Sequence, residues 1–523
     1  MTPPLRVRHV SDGAILVEFP EASEEEANRS AVALARALAR SPVEAPDDAV
    51  PGARTLFCTF DPERISHREL AQRIEALAAA EAPAETASGK EHVLRVAYGG
   101  PDLASVARLA GLTPDEVARR HASALYRVAF LGFAPGFAYL TGLPAELAAP
   151  RLATPRPRVP AGSLAVAGGY SGIYPAESPG GWNLIGRAAA LLFDRDRDPP
   201  ALLAPGDRVR FDAAGELPEN RPSPARALPA GIPVFRVVAA GIWSAPVGPP
   251  FPGRGASGIP PSGAMDELAL ADGNALLENP AGAAALEFAV AGPELEALED
   301  ATVAISGAPC DASVGGRPIA WRNATRLRKG DRLALGAVPR GVRSYLCVTG
   351  GLAPPGPLDI PSRTAAGEVL FRSPGAAAEA ARACRAPAGD VEMISDPVVR
   401  IVLGPQEDWF ADEGVAALLN SPFRVSSTSD RRGIRLEGPV IAFRAGPEIP
   451  PEGTALGAIQ VPGDGQPIVL GPDRPVTGGY PKIGTVISRD FRLVAQARPG
   501  AFVRFRAVSA EEAVAARRRM TAS

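Results

Sequence analysis

The chain has 523 residues, 46% of them hydrophobic, which is enough for several buried cores and predicts roughly three or four domains. Its 55 basic and 58 acidic side chains leave a net charge of −3, so we expect neither a nucleic-acid partner nor a membrane partner. No apolar run reaches the roughly 18 residues of a membrane span, and the N-terminus lacks the apolar core of a signal peptide. We therefore expect a cytoplasmic protein.

The positions of histidine and cysteine exclude several kinds of site. All four histidines lie in the first quarter of the chain, at His9, His67, His92 and His121. Residues 122–523 therefore cannot supply a Ser-His-Asp triad or a histidine-ligated metal by themselves. The four cysteines include no Cys-x-x-Cys pair, so neither a zinc site nor a disulfide framework is indicated. We assign no metal ligand from the sequence.

Residues 1–88 are predicted to form a small α/β domain. The apolar run AILVEF is typical of a strand, and Ser23 with Glu26 resembles a capping box that opens the first helix. The run TLFCTF predicts a second strand, and HRELAQRIEALAAA predicts a second helix. The order β-α-β-α indicates two strands covered by two helices, followed by a linker-like stretch at 81–90.

Residues 89–216 are predicted to form a β barrel. After the strand HVLRVAYGG come two short helices, the second opened by Thr113 with Pro114 at its first position. Beyond residue 122, short apolar strands alternate with Gly/Pro turns, as in a barrel. Four prolines in LPENRPSPARALPAG predict a semi-rigid linker at 217–231.

The second half of the chain is again mostly β, so we predict two further barrel domains at 232–393 and 394–523. Helices are expected only near Asp266–Leu277, Ala376–Ala383 and Asp408–Leu419. The predicted fold class is mainly β, with tandem barrels preceded by a small α/β domain.

An internal repeat supports duplicated barrels. Four short matches recur in the same order about 300 residues apart. They are YRV 126–128 with FRV 423–425, Gly142 with Gly438, Val159-Pro160 with Val461-Pro462, and PGDRVRF 205–211 with PGAFVRF 499–505. A weaker third copy runs from FRV 235–237 through IPPSG 259–263 to KGDRLALG 329–336.

Two glycine-rich runs stand out, Val159–Trp182 and Val461–Gly484. Both begin Val-Pro and both carry Gly-Gly-Tyr closely followed by proline. Because glycine permits positive φ and close backbone approach, such runs suit either ligand-facing turns or tight barrel turns. We hypothesise that the two barrels present these runs to one shared cleft.

Candidate site residues in the first half lie around the first glycine-rich run. The stretch LGFAPGFAYLTGLP, 131–144, is interpreted either as a core turn or as an apolar wall for a small ring-shaped substrate. Arg156 and Arg158 are two apart on an extended segment, so they can fork together onto a phosphate or carboxylate, or form a solvated face. Glu177 is either a surface residue or a candidate base or metal ligand.

Candidate residues in the second half come from three turns. SSTSDRRG (426–433) and VPGDGQP (461–467) each place Asp beside glycine, and DRPVTGGYPK (473–482) adds Thr477 and Lys482. Lys482 is one of only three lysines. These groups suit amide or carboxyl/phosphoryl chemistry without histidine, although Asp-Gly turns are also ordinary hairpin loops.

These motifs identify a family resemblance. The stretch YRVAFLGFAPGFAYLTGLP with RVPAGSLAVAGGYSGIYPAESPGGWNLIGR resembles the B subunit of bacterial 5-oxoprolinase, a family also called allophanate hydrolase subunit 1 or the Kip-type kinase inhibitor. The stretch GIPPSGAMDELALADGNALLENPAGAAALEF with GAIQVPGDGQPIVLGPDRPVTGGYPKIGTV resembles the C subunit, which is the allophanate hydrolase subunit 2 family. The chain thus resembles a B–C fusion joined at the proline-rich linker.

The resemblance implies cyclophilin-like barrels and ATP-dependent opening of 5-oxo-L-proline to L-glutamate together with a separate A subunit, with ATP as co-substrate and Mg²⁺ beside it. Two alternatives stay open. One is the carboxyltransferase module of a biotin-dependent urea or allophanate system, and the other is a non-catalytic regulator that binds a histidine kinase. A homo-oligomer is also left open.

The sequence departs from the family pattern in the part that resembles the C subunit. SAPVGPPFPGRGASG, 244–258, replaces a TTVQD-GR-type opening, Arg432 replaces a methionine, and Val476-Thr477 replaces a paired threonine. These departures predict altered substrate preference or weakened activity.

If the chain acts as a 5-oxoprolinase, we assign the catalytic roles to Asp430, Asp464 and Lys482. The residues assigned to substrate or nucleotide binding are His121, Pro135, Gly136, Phe137, Arg156, Arg158, Gly162, Ser163, Glu177, Gly180, Gly181, Gln460, Gln466, Thr477, Gly478 and Tyr480.

Overall fold

The computed structural model describes residues 5–21, 23–41, 46–80, 89–217, 231–356, 358–373 and 395–521. Almost all of the predicted linker 217–231 lies outside these residues, as do the predicted helix Ala376–Ala383 and most of the stretch 81–90. Within the described ranges, the longest apolar helices fall short of what a membrane crossing requires.

The N-terminal unit is a four-stranded antiparallel sheet, ordered β1-β2-β4-β3, packed against two helices. Its elements are β1 Arg6–Ser11, β2 Ala14–Glu18, α1 Glu24–Arg40, β3 Asp48–Pro51, β4 Thr55–Thr59 and α2 His67–Ala80. The predicted cap is confirmed, because the Ser23 side chain accepts from the Glu26 amide. The sequence missed β1 and β3, since β1 alternates charged with apolar residues at the edge of its sheet and β3 has only four residues.

The next unit is a closed seven-stranded barrel, with ring order β10-β7-β6-β13-β5-β12-β9. Its elements are β5 Glu91–Tyr98, α3 Leu103–Ala110, α4 Pro114–Ser123, β6 Tyr126–Leu131, β7 Ala138–Thr141, β8 Arg156–Val159, β9 Ser163–Ala167, β10 Tyr170–Ile173, β11 Ser178–Gly180, β12 Asn183–Ala188 and β13 Arg208–Ala213. Strands β8 and β11 lie outside the ring and pair with each other as a two-stranded ribbon. The predicted helix start at Thr113 is confirmed, and Thr113 forms a capping box with Glu116.

Residues 231–373 form two sheets packed on a shared core, where the sequence predicted a barrel. The sheets have orders β20-β19-β22-β17-β14-β24 and β15-β16-β23-β18-β21. The elements are β14 Ile232–Ala239, β15 Trp243–Val247, α5 Glu267–Ala275, β16 Ala285–Ala289, β17 Glu294–Ala297, β18 Ala301–Gly307, β19 Ala312–Val314, β20 Arg317–Pro318, β21 Thr325–Leu327, β22 Arg332–Leu335, β23 Arg343–Val348 and β24 Val369–Arg372. Strand and turn signals do not reveal whether the outermost strands pair, so they cannot distinguish two open sheets from a closed ring.

The last unit is a second closed seven-stranded barrel, with ring order β25-β32-β29-β30-β27-β26-β33. Its elements are β25 Val398–Leu403, α6 Asp412–Asn420, β26 Phe423–Val425, β27 Gly433–Glu437, β28 Glu452–Gly453, β29 Ala458–Gln460, β30 Ile468–Leu470, β31 Thr477–Gly478, β32 Lys482–Val486, α7 Phe491–Ala495, β33 Phe502–Ala507 and α8 Ala510–Thr521. Again two strands, β28 and β31, form a separate ribbon.

The two barrels are copies of one another. Read cyclically, the ring order of the second barrel repeats that of the first with every strand number raised by 20, and the first and last strands are parallel in both. The matched sequences YRV and FRV fall on β6 and β26, and PGDRVRF and PGAFVRF end on β13 and β33. The predicted fold class of tandem barrels is therefore confirmed.

Candidate functional site

Both glycine-rich runs lie against one segment of the first barrel, residues 131–139. A Cβ built on Gly132 would meet Thr477 Oγ1 at 1.6 Å, so the Thr477 side chain occupies the space that glycine leaves. Trp182, the last residue of the first run, places its ring 5.3 Å from that of Phe137 and 5.5 Å from that of Tyr139. Both runs therefore contact this segment, while the hypothesised shared cleft stays a prediction.

Other contacts hold the two halves of the chain together around this point. The Ala53 amide donates to Pro451 O at 2.7 Å, beside the ribbon strand β28. The Gly136 amide donates to Ser257 O at 3.2 Å. Gly453 in β28 packs so closely on Phe57 that a Cβ there would lie 2.3 Å from the Phe57 Cβ. The N-terminal sheet therefore supports the ribbon of the second barrel.

A buried ion pair lies next to this contact. Lys482 and Gln460 are register partners on the antiparallel strands β32 and β29, so their side chains project from the same face. Lys482 is 1% exposed, and its Nζ lies 2.6 Å from Glu452 Oε1. Gln406 supports both ends, since its Nε2 donates to Glu452 Oε1 at 2.8 Å and its Oε1 accepts from the Lys482 amide at 3.2 Å. A buried ion pair needs such additional hydrogen bonds to offset desolvation.

Three buried polar atoms at this place lack a hydrogen-bond partner within the described residues. They are Gln460 Nε2, Thr477 Oγ1 and Lys482 Nζ, the last of which has only its ion pair with Glu452. A Cβ at Gly478 would lie 2.6 Å from Gln460 Nε2, and Gly478 is the register partner of Glu452, so Gln460 Nε2 lies beside the pair of Lys482 and Glu452. Thr477, the adjacent residue of β31, projects from the opposite face of the strand, toward Gly132. Leaving a buried donor unpaired costs about 1–3 kcal/mol, and the arrangement therefore suits an oxygen atom of a bound ligand.

Tyr139 closes the site on the first-barrel side. Its hydroxyl interacts with that of Thr477, and this contact offsets part of the effect of burial on the pKa of Tyr139. Burial raises the pKa of Tyr139 to about 12, so the phenol stays protonated near neutral pH. Tyr139 contributes a protonated hydroxyl and an apolar ring.

The structure does not bring the three predicted catalytic residues together. Asp464 lies at the same barrel end as Lys482, but it is exposed and its Oδ1 accepts from the Gln466 amide of its own turn. Asp430 lies just before β27, at the Gly433 end of that strand. The strand pairing from β27 through β30 and β29 to β32 places Lys482 at the opposite end of the barrel. Asp430 Oδ1 accepts from the amides of Arg432 and Gly433, as an Asp in a tight turn does.

The predicted fork of Arg156 and Arg158 is not formed either. Arg156 Nη2 lies 2.7 Å from Asp102 Oδ1, while Arg158 Nε lies 3.4 Å from Glu177 Oε1. Each arginine therefore has its own carboxylate. The pair of Arg158 and Glu177 is mostly exposed, and such pairs contribute little to stability.

His121 is a core residue in this structure. Its two ring nitrogens contact the Tyr98 hydroxyl at 2.8 Å and Ser171 Oγ at 2.9 Å, and its ring stacks on Phe211. Burial lowers the pKa of His121 to about 3, so the ring is neutral. A fully buried neutral imidazole is not placed to contact a ligand from solvent.

The remaining predicted residues have mixed surroundings. Gly478 and Tyr480 are half-buried beside the unpaired donors, and Pro135, Gly136 and Phe137 belong to the segment against Thr477. Gln466 bonds the backbone of Gly438 through both its amide atoms. Three predicted glycines make structural contacts around the first ribbon. The Gly162 amide donates to Tyr174 O, Gly180 packs against the Tyr174 hydroxyl, and Gly181 lies near Pro155. Ser163 lines a separate open cleft of about 590 Å³ with Gly99, Gly100 and Arg187.

Sequence patterns did not single out Glu452 or Gln406, and Gly132 was included only as part of the candidate stretch 131–144. The available signal was the barrel repeat, because the ribbon strand β28 that carries Glu452 corresponds to β8, which carries Arg156. Gln406 follows β25 and Gly132 follows β6, at strand ends where site residues collect. No local motif marks Gln406.

Two family descriptions match the chain. "Carboxyltransferase domain, subdomain C and D" matches residues 5–203, and "Carboxyltransferase domain, subdomain A and B" matches residues 257–507. The chain is therefore a carboxyltransferase-domain protein that contains both parts.

The relatives define the family further. The chain is 36% identical over 230 residues to the B subunit of 5-oxoprolinase from Bacillus subtilis, a match that covers 40% of this chain and 93% of that protein. It is 32% identical over 271 residues to the C subunit of 5-oxoprolinase from Haemophilus influenzae, covering 50% and 87% respectively. It is also 30% identical over 288 residues to urea amidolyase of Lachancea kluyveri, but this covers only 16% of that protein.

Crystal structures of TTHA0988 in several space groups cover nearly the whole chain. One of them superimposes with a TM-score of 0.83 and 37% identity, covering 96% of this chain and all of that one. This chain belongs to the family of the B and C subunits of 5-oxoprolinase, with the B-like part first and the C-like part after it.

Proposed function

We propose that this chain is the B–C component of an ATP-dependent 5-oxoprolinase, which opens 5-oxo-L-proline to L-glutamate together with a separate A subunit. One observation carries the assignment of the site. The buried atoms Lys482 Nζ and Gln460 Nε2 belong to register partners on neighbouring strands, and one ligand oxygen would satisfy both.

The charge of the site favours a neutral amide. Lys482 brings a positive charge and Glu452 a negative one, so together they leave little net field for a multiply charged anion. The carbonyl oxygen of a lactam is an uncharged acceptor that donors of this kind bind. The half-buried glycines Gly478 and Gly479 leave room at the rim of the site.

The same donors would assist ring opening. Water adds its oxygen to the carbonyl carbon, the ring C–N bond breaks, and the ring nitrogen takes up a proton to become the amine of glutamate. As the carbonyl oxygen gains negative charge, hydrogen bonds from Lys482 and Gln460 strengthen, which lowers the barrier. Glu452 and Gln406 hold the Lys482 side chain in place.

Two of the residues predicted to bind substrate or nucleotide already have carboxylate partners. Arg156 and Arg158 are paired with Asp102 and Glu177, and the described residues include no group of three acidic, histidine or cysteine side chains suited to a metal ion. The role proposed for this chain is therefore limited to binding and polarising the lactam.

The second candidate is a carboxyltransferase acting with a biotin carrier. The family description and the partial similarity to urea amidolyase favour it. A carboxyl or urea oxygen would also satisfy Lys482 and Gln460, so the substrate must be distinguished by experiment.

The test is glutamate formation by the purified chain mixed with a separate A subunit, ATP and 5-oxoproline. We expect turnover with the parent chain and a loss of at least about 100-fold with Lys482→Met. The matched control is Lys329→Met, which removes an exposed lysine in the two-sheet domain. Absence of glutamate, with transfer of a carboxyl group from a biotinylated carrier instead, would favour the second candidate.

A further inference from the structure

Arg431, the first arginine of the SDRRG segment, is buried where the second barrel meets the two-sheet domain. It is 8% exposed. Its Nε and Nη2 donate to the two carboxylate oxygens of Asp473 at 2.7 and 3.1 Å, and its Nη1 donates to Glu287 Oε1 at 2.7 Å. Nη2 also donates to Gly263 O at 2.5 Å, and the guanidinium lies 5.5 Å from the centre of the Trp243 ring. One side chain thus connects several separate segments.

Both carboxylates of this junction are held by further donors. Glu287, in β16, is fully buried and accepts from the Tyr345 hydroxyl at 2.8 Å and the Met265 amide at 2.9 Å. Asp473 Oδ1 also accepts from Ser262 Oγ at 2.6 Å. Such saturation fixes the orientation of each carboxylate, and a planar guanidinium fork matches it in a way that a lysine amine does not.

The junction is linked to the candidate site through a short loop. Asp473 lies four residues before Thr477, and its amide donates back to Arg431 O at 3.2 Å. Between them, Arg474 Nε donates to Thr454 O at 3.0 Å and Thr454 Oγ1 donates to Pro475 O at 2.6 Å. At its far end the loop becomes β31, where Thr477 and Gly478 pair with Gly453 and Glu452.

We propose that Arg431 is a positioning residue, which sets the place of Thr477 and Glu452 by holding Asp473 against the two-sheet domain. It does not touch the substrate. The expected effect on turnover rests on the proposed function, whereas the expected effect on the loop 473–478 does not. The departure at Arg432, the next residue, leaves the junction intact because that side chain is exposed.

The experiment compares Arg431→Lys with Arg372→Lys as a matched control. Arg372 is an equally buried arginine, 2% exposed and paired with Glu299 in the two-sheet domain, away from the loop 473–478. Hydrogen–deuterium exchange of the full chain is measured over peptides covering 471–480 and 452–456. We expect at least tenfold faster exchange there in Arg431→Lys and a change below twofold in Arg372→Lys.

The second readout is turnover in the reconstituted 5-oxoprolinase assay, per folded molecule. Arg431→Lys is expected to lower kcat at least tenfold, while Arg372→Lys lowers only the melting temperature. If Arg431→Lys does not fold, Asp473→Asn is measured in its place, with the same expectation. Unchanged exchange over 471–480, or equal effects of the two arginine substitutions, would overturn the positioning role. Absence of turnover in the parent chain would overturn the proposed function, and the exchange result would still decide the positioning role.

Discussion

Gly132→Ala is the substitution that probes the contact between the two halves most sharply. The new Cβ would lie 1.6 Å from Thr477 Oγ1, 2.6 Å from its Cβ and 2.7 Å from its Cγ2. To reach a tolerable separation of about 3.0 Å, Thr477 must move by about 1.4 Å. Overpacking of this kind costs about 1–3 kcal/mol. A displacement of about 1 Å in a site costs about 100-fold in rate, so turnover is expected to fall by that order.

The assay combines thermal unfolding with steady-state turnover of 5-oxoproline. The matched control is Gly169→Ala, since a Cβ at Gly169 meets nothing within 4 Å and its φ lies outside the left-handed region. The double variant Gly132→Ala, Thr477→Gly removes the clashing side chain and is expected to recover most of the lost stability but not the activity. If Gly132→Ala behaves like Gly169→Ala, Thr477 does not occupy the space above Gly132 and the reasoning is refuted.

Three further predictions concern charged groups. Lys482→Met leaves the Glu452 carboxylate buried without a cation and is expected to lower the free energy of unfolding by about 3–5 kcal/mol. Part of this stability is expected to return in the double variant Lys482→Met, Glu452→Gln; if thermal unfolding shows that the losses of the two single variants simply add in the double variant, the ion pair is contradicted. Removing the exposed pair with Arg158→Ala and Glu177→Ala is expected to change stability by no more than about 1 kcal/mol, and a larger change in denaturant midpoint would show a buried pair. The pKa of His121 is about 3 in the folded chain and about 6.5 in the unfolded chain, so between these pH values only the unfolded chain binds a proton on this ring. The free energy of unfolding therefore falls as the pH is lowered through this window, by up to about 1.4 kcal/mol per pH unit. His121→Gln should flatten this dependence in unfolding measured from pH 6.5 to 4, and an unchanged slope would contradict a buried neutral ring.

The duplicated barrel was accessible from sequence because strand ends repeat in order. YRV and PGDRVRF mark β6 and β13, and their counterparts mark β26 and β33, so matched spacing identified matched strands. Residues 231–373 carry similar strand and turn signals, yet they form two open sheets. Closure depends on which outer strands pair, and local patterns do not encode that pairing.

The candidate site was only partly accessible. Thr477, Gln460 and Lys482 lie in or next to the second glycine-rich run, so composition pointed to them. Glu452 and Gln406 could not be found in this way, because they approach Lys482 from 30 and 76 residues earlier in the chain. Asp430 and Asp464 were predicted to be catalytic, but each accepts a hydrogen bond from an amide of its own turn. The same residue types serve turns and catalysis, so the sequence does not distinguish the two roles.

The central claim is that Gln460 and Lys482 bind a lactam oxygen at the contact between the two halves. Its most direct test is kcat/KM for 5-oxoproline of Gln460→Met, which keeps the approximate length of the side chain and removes the amide donor. We expect kcat/KM to fall by roughly 10- to 100-fold with the melting temperature nearly unchanged, because the substitution removes one hydrogen bond to the developing oxyanion. A kcat/KM equal to that of the parent chain would contradict the claim.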